Sequence, residues 1–320
     1  MRIASLLPSA TEIVCAVGAR DDLVGVSHEC DHPQGVDRLA VLTRPRGALP
    51  TASAEIDRSI RSMLEHALGV YEVELDRLRE ARPDVIVTQD LCDVCAVSLD
   101  DVHAALRELA LGATTVLSLT PTRLGDVWAD VRRVGEALGR ADRGRAVAAE
   151  LERRCLEIGE RAASAPSRPT VLTIEWLAPI MIGGTWMPEL VGLAGGQALV
   201  TEAGQHAPTL NLEELSRLDP EVVLIKPCGF DLDRTLGEIG LLREHLPWER
   251  WEAVRRGRVF VADGNAYFNR PGPRLVESLE ILAACLHPDL FADFARRHAA
   301  SARRMKPDLS LAPFAGRSGP

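Results

Sequence analysis

Short apolar runs rich in β-branched residues recur along this chain, each followed by a stretch with helical periodicity. "RIASLL" (2–7), "LVGVS" (23–27), "PDVIVTQ" (83–89) and "TTVLSL" (114–119) read as strands. "PSATEIVCAVG" follows the first, with Ser9 and Glu12 at capping-box spacing and Gly18 as a stop. Residues 53–80 read as helical with a break near Gly69, and "VSLDDVHAALRELALG" reads as a helix. Strands alternating with helices imply βα units and a mainly parallel sheet. The pattern then recurs. "TVLTIEWL" (170–177), "IMIGG" (180–184), "EVVLIKP" (221–227) and "RVFVADG" (258–264) are strands, with helices at 187–195, 211–218, 248–256 and 273–286.

Between the two sets, Val127, Val131 and Val134, then Val147, Leu151 and Ile158, keep helical spacing, interrupted only at "GRADRG". The expected organisation is an α/β lobe at 1–120, a connecting long helix at 121–165, a second α/β lobe at 166–305 and a frayed tail at 306–320. The fold class is therefore two Rossmann-like α/β lobes joined by a backbone helix. Ligands of open α/β sheets bind beyond the carboxyl ends of the strands, so a cleft flanked by both sets of strand ends is expected.

A formal net charge of −9 without a basic cluster excludes a nucleic-acid footprint. No stretch is long and apolar enough to span a bilayer. Read from Met1, "MRIASLLPSATE" has no charged, then apolar, leader. The expectation is a cytoplasmic protein, or an extracytoplasmic one if a leader has been removed.

Seven cysteines cannot all pair within the chain. Cys15, Cys155 and Cys285 fall on apolar helix faces and read as buried small hydrophobes. Cys30, Cys92, Cys95 and Cys228 instead follow strands. "LCDVCA" supplies a CxxC. With Cys30 and His28 or Cys228 it could complete a tetrahedral site for zinc, iron or a softer ion. The same pair could be a redox couple, although Asp93 between the thiols disfavours a thiolate. It could also simply line a pocket. No nucleophile elbow or phosphate loop is present, and the chain reads as a binding protein. The competing enzyme reading is a thiol-dependent or corrinoid-processing protein using Cys92 and Cys95, with His28 or Glu29 as proton donor.

Several segments together carry a family resemblance: "RIASLLPSATEIVCAVG", "LVGVSHECDHP", "LDRLREARPDVIV", "LNLEELSRLDPEVVLI" and "YFNRPGPRLVESLEIL". In this order they resemble the substrate-binding components of cobalamin and iron-chelate ABC importers, the class III periplasmic binding proteins. The resemblance implies two lobes with a ligand between them and no enzymatic activity. The ligand would be cobalamin, haem or an iron siderophore, and the protein a monomer that docks on an ABC permease. Position by position it implies ligand contacts at Glu29, Tyr267 and Phe268. Trp176 and Trp186 could add flat apolar walls, and Arg270 and Arg274 could meet ligand carboxylates or phosphates or else pair with nearby Glu. Ser9, after the first strand, is a further candidate ligand contact. The resemblance places permease docking on Asp76 and Glu213, one acidic residue per lobe. Flat, partly apolar tetrapyrroles suit aromatic walls. Their metal could take an axial Cys or His.

Overall fold

The computed structural model of the protein describes residues 1–47, 50–65, 70–89, 97–109 and 112–315. In chain order the elements are β1 (Ile3–Ser5), α1 (Pro8–Ala16), β2 (Leu23–Val26), β3 (Thr43–Pro45), α2 (Ser53–Glu65), β4 (Tyr71–Val73), α3 (Leu75–Ala81), β5 (Val85–Gln89), α4 (Leu99–Glu108), β6 (Thr115–Leu119), α5 (Leu124–Ala137) and α6 (Ala141–Ala162). There follow β7 (Thr170–Leu177), β8 (Ile180–Ile182), α7 (Met187–Leu193), β9 (Gln197–Ala198), α8 (Leu212–Ser216), β10 (Val222–Ile225), α9 (Leu232–Gly237), α10 (Leu241–His245), α11 (Glu252–Arg255), β11 (Val259–Ala262), α12 (Leu275–Leu286), α13 (Ala292–Arg297), β12 (Ala302–Met305) and β13 (Leu311–Pro313). The chain divides into two compact units. One comprises Met1–Thr51, Glu55–Pro121 and Gly125–Leu151, the other Ala52–Ala54, Thr122–Leu124 and Glu152–Pro320.

In the first unit the sheet order is β2-β1-β5-β6, with every pairing parallel. Strands of such a sheet are covered on both faces, which is why β5 is buried along its whole length. Its core joins Leu6, Leu42, Leu78, Ile86, Val102 and Leu106. Gly25 on β2 is required by this core, because a Cβ there would lie 2.5 Å from Leu42.

In the second unit the order is β13-β12-β11-β10-β7-β8, and β9 also pairs with β7. The parallel members run β9-β7-β10-β11. That is the same arrangement as in the first unit: the second strand lies on one side of the first, and the third and fourth lie on the other. In each unit the point where strand order reverses falls beside the first strand, between β1 and β5 and between β7 and β10. The carboxyl ends at these switch points are the favoured ligand positions of such sheets.

Several sequence expectations are corrected. The capping box at Ser9 and Glu12 does not form: α1 opens with Pro8 in its first turn and Leu7 as N-cap, without a side-chain cap. Proline presets the backbone angle and lacks the N–H that a cap would serve. The segment 53–80 is not one helical stretch but α2, β4 and α3, and β4 pairs antiparallel with β3. The helical stretch after residue 121 comes in two pieces, α5 and α6, separated at Gly139 with its φ of +68°. Gly135 and Gly144 lie close across this break, since a Cβ on Gly135 would be 2.7 Å from the Gly144 Cα. The tail is not frayed through 315. β13 pairs antiparallel with β12, and Phe314 packs edge-on against Phe260 with ring centroids 6.0 Å apart.

Candidate ligand-contact sites at the strand carboxyl ends

Beyond β2 the chain runs Ser27-His28-Glu29-Cys30, closed by a Cys30 N–H to Ser27 carbonyl bond of 3.1 Å. Residues 40–43 run beside the end of β2: the Leu42 N–H meets the Val26 carbonyl at 2.8 Å. This brings the buried Thr43 to the loop. Thr43 Oγ1 accepts the His28 backbone N–H at 3.2 Å, lies 2.8 Å from His28 Nδ1, and donates to Ser27 Oγ at 3.1 Å. The antiparallel β3–β4 pair sets Tyr71 opposite Pro45, and the Tyr71 hydroxyl donates to Glu29 Oε1 at 3.0 Å. The His28 and Tyr71 rings sit 4.9 Å apart, tilted by 59°. Burial pushes the His28 pKa down, so its imidazole is neutral at pH 7.

Cys30, expected as a metal ligand, is buried with Val26 and Val36. Its Sγ lies 3.1 Å from Thr11 Oγ1, whose own hydrogen goes to Ser5 Oγ at 2.8 Å. Ser9 is buried in the first turn of α1, and its Oγ has no hydrogen-bond partner among the described residues. Cys92 and Cys95 lie outside the described residues.

In the second unit, Glu175 and Trp176 end β7, Lys226 and Cys228 follow β10, and residues 263–270 follow β11. Lys226 is wholly buried, and its Nζ donates to Glu175 Oε2 at 2.8 Å and to Asn269 Oδ1 at 2.7 Å. The Asn269 amide returns bonds to the carbonyls of Lys226 and Gly264 at 2.9 and 2.8 Å. Gly264 permits this contact: a Cβ there would sit 2.1 Å from the Pro227 carbonyl oxygen. Half-buried Cys228 donates its backbone N–H to the Glu175 carbonyl at 3.0 Å.

The expected aromatic contacts divide in two. Phe268 is fully buried with a φ of +68°, and Trp186 is buried with its indole N–H on the Phe268 carbonyl at 2.8 Å. Both belong to the interior and are corrected as ligand walls. Trp176 is half-buried, edge-on to Phe230 at 5.2 Å. Tyr267 is half-buried too, with the Arg274 guanidinium 5.7 Å from its ring. Arg270 is braced by Asn265 Oδ1 at 2.8 Å. Asp76 and Glu213 stand exposed in the first turns of α3 and α8, each ion-paired with an arginine of its own helix, Arg79 and Arg217.

Sequence reasoning missed Thr43, Tyr71, Glu175, Lys226 and Asn269. Lys226 did carry a signal: it is one of two lysines in an arginine-rich chain and directly follows the strand "VVLI". Among the described residues, no three His, Cys, Asp or Glu side chains gather as a metal site. The five cysteines of the described chain are free thiols. Burial raises the thiol pKa of Cys15 to about 11 and of Cys155 to about 12, and that of Cys285 further, so these three are protonated. No helix among the described residues is long and apolar enough to cross a membrane.

Residues 3–266 match the family model of the periplasmic binding proteins. An uncharacterized ABC transporter substrate-binding lipoprotein, YvrC of Bacillus subtilis, is 22% identical over 91% of this chain and 82% of its own length. The vitamin B12-binding protein of Vibrio cholerae serotype O1 is 24% identical over 87% of this chain and 86% of its own. Among solved structures, a periplasmic heme binding protein from Pseudomonas aeruginosa superposes with a TM-score of 0.68 at 22% identity, covering 99% of each chain. The periplasmic vitamin B12 binding protein of Vibrio cholerae gives 0.64 at 20% identity, covering 89% of this chain and 96% of the other.

Proposed function

The chain belongs to the periplasmic binding protein family, a family of substrate-binding proteins and not of enzymes, and from that premise we propose that it binds a planar metal chelate of the corrinoid or haem kind. The observation that carries the reading is the chemistry of the two strand-end rims. One holds a neutral His28 against Tyr71 and Glu29. The other holds half-buried Trp176 and Tyr267 beside Arg270 and Arg274. Aromatic faces suit a flat macrocycle, and guanidinium groups suit propionate or phosphate substituents. Relatives named for vitamin B12 and heme support the ligand class.

Ser9 Oγ, buried and without a hydrogen-bond partner among the described residues, is a further contact in this reading. Glu29 orients Tyr71 through its accepted hydrogen bond. The cargo is handed to an ABC permease through the exposed carboxylates of Asp76 and Glu213. Helix first turns favour negative charge there.

Titration of the purified chain with cyanocobalamin and with hemin, followed by visible absorbance, tests the reading. A saturable spectral change with one of them is the expected result; silence with both overturns it. Metal analysis of protein purified without chelators separates a chelate from protein-held zinc. Cell fractionation separates an importer component, found outside the cytoplasmic membrane, from a cytoplasmic holder of the same ligand.

A further inference from the structure

We propose that Glu175 is a specificity-determining residue of the second unit's rim: its Oε1 accepts an N–H from the bound chelate, so a carboxamide side chain is favoured at that place and a carboxylate is disfavoured. The assignment rests on the chelate reading above. Sheet register sets the position. Ile174 of β7 pairs with Ile225 of β10, so the next residues along, Glu175 and Lys226, stand side by side where β10 ends. This is the switch point of the second unit, the favoured ligand position of such a sheet.

Lys226 is wholly buried and cannot itself reach a ligand. Its Nζ holds Glu175 Oε2 at 2.8 Å and Asn269 Oδ1 at 2.7 Å, and the Asn269 amide is fixed in turn on the Lys226 and Gly264 carbonyls. A buried ammonium requires a charged partner of this kind, and the contact holds the Glu175 carboxylate in one orientation. Only Oε2 is used. Oε1 has no hydrogen-bond partner among the described residues, and 22% of the side chain remains exposed. An ionised carboxylate accepts at both oxygens and donates at neither. Because Lys226 offsets the charge, the pair presents an outward acceptor and not a net charge. Asp263, on the same rim, differs: its Oδ1 accepts the Asn265 and Ala266 N–H groups and closes a turn.

Asn269 also ties this acceptor to the donors of the rim, because Arg270 follows it directly and Arg274 lies one turn further on, over Tyr267. Guanidinium groups meet carboxylates or phosphates, whereas Glu175 Oε1 can meet only a donor. A macrocycle whose side chains are all carboxylates or hydrocarbon, as in haem, leaves Oε1 unpaired or facing another acceptor. A macrocycle with carboxamide side chains and a phosphate, as in corrinoids, satisfies both kinds of group. A site built around a hydrogen bond rejects the analogue that cannot make it, since its own polar group is then left without a partner.

The test titrates the full chain with hemin, with cyanocobalamin and with the cyanocobalamin monocarboxylic acids, in each of which one side-chain amide is hydrolysed while macrocycle and metal are unchanged. The wild type should bind cyanocobalamin and lose about tenfold in affinity for one of the monocarboxylic acids. In Glu175→Gln the amide oxygen faces Lys226 Nζ, which turns the NH2 group outward to where Oε1 stood. That variant should bind the same monocarboxylic acid better than cyanocobalamin, an inversion that a merely structural ion pair would not produce. Equal affinity for cyanocobalamin and all its monocarboxylic acids, no inversion in a folded Glu175→Gln, or hemin bound in preference to cyanocobalamin overturns the assignment of Glu175 and leaves the chelate reading standing. Failure of both hemin and cyanocobalamin to bind the wild type overturns the chelate reading and the assignment with it. Far-UV circular dichroism shows whether Glu175→Gln folds, and the comparison of ligands on the wild type decides the matter if it does not.

Discussion

Glu280 shows what a single buried charge does in this protein. Its carboxylate, 4% exposed, receives Arg154 at 3.0 Å, Arg297 at 2.8 Å and His298 at 2.7 Å. Burial alone would raise its pKa, but the hydrogen bonds from His298, Arg297 and Arg154 outweigh it and hold the group at about 2. A carboxylate depressed in the folded state contributes stability above its unfolded pKa, and that stability is lost as pH falls through the folded value. The contribution should therefore be present above about pH 4.5 and fade toward pH 2. Glu280→Gln leaves the cations without their carboxylate and should cost about 3–5 kcal/mol at pH 7, read from urea unfolding. The variant should also lose less stability than the wild type between pH 4.5 and 2. Lys226→Met removes the buried ammonium from Glu175 and Asn269. Because Glu175 keeps some water, the cost belongs at the lower end, about 3 kcal/mol by the same measurement. Neither site was legible in the sequence. Glu280 sits in an apolar helix whose periodicity says nothing of Arg154, and a lysine after a strand does not announce an asparagine 43 residues on.

Elements were read with uneven success, for identifiable reasons. The central parallel strands are continuous apolar runs, so β5, β10 and β11 could be placed to within a residue or two. The strands β3, β4, β9, β12 and β13 have four residues or fewer and carry polar or proline residues, so their pattern is too short to show a period. β4 was absorbed into a helical reading, and with it Tyr71. Two elements invite direct tests. At the α5–α6 break, Gly135→Ala would drive a methyl group onto the Gly144 backbone, where no side chain can move aside. Overpacking of this kind should cost about 1–3 kcal/mol, seen as a lower thermal midpoint. In the 263–270 segment, Asn269 joins the end of β10 to the chain after β11. Asn269→Ala should speed hydrogen exchange across 263–270 while leaving β10 protected, measured by mass spectrometry. Equal acceleration in β10 would show that the clasp is not local.

For the molecule as a whole, a ligand that binds only the folded state raises stability by mass action. Hemin or cyanocobalamin, whichever binds, should stabilise the protein by about 2.7 kcal/mol at a hundredfold excess over Kd, with a thermal midpoint that climbs with ligand concentration. An unchanged midpoint alongside apparent binding would mean that the unfolded chain binds equally well. The sequence by itself determined that the chain forms two α/β units with parallel central strands, and the rims where chemistry should gather. Those properties are written locally, in the spacing of apolar residues and in the segment that follows each strand. Tertiary structure alone decided that Trp186 and Phe268 face inward, that Lys226 is buried with Glu175 and Asn269, and that Thr43 holds the His28 ring at Nδ1. Burial of a given side chain and the hydrogen-bond partner of a given ring nitrogen depend on residues 15 to 82 positions away. Hydrophobic periodicity carries no record of such partners, because hydrogen bonds are chosen by geometry in space and not by spacing along the chain.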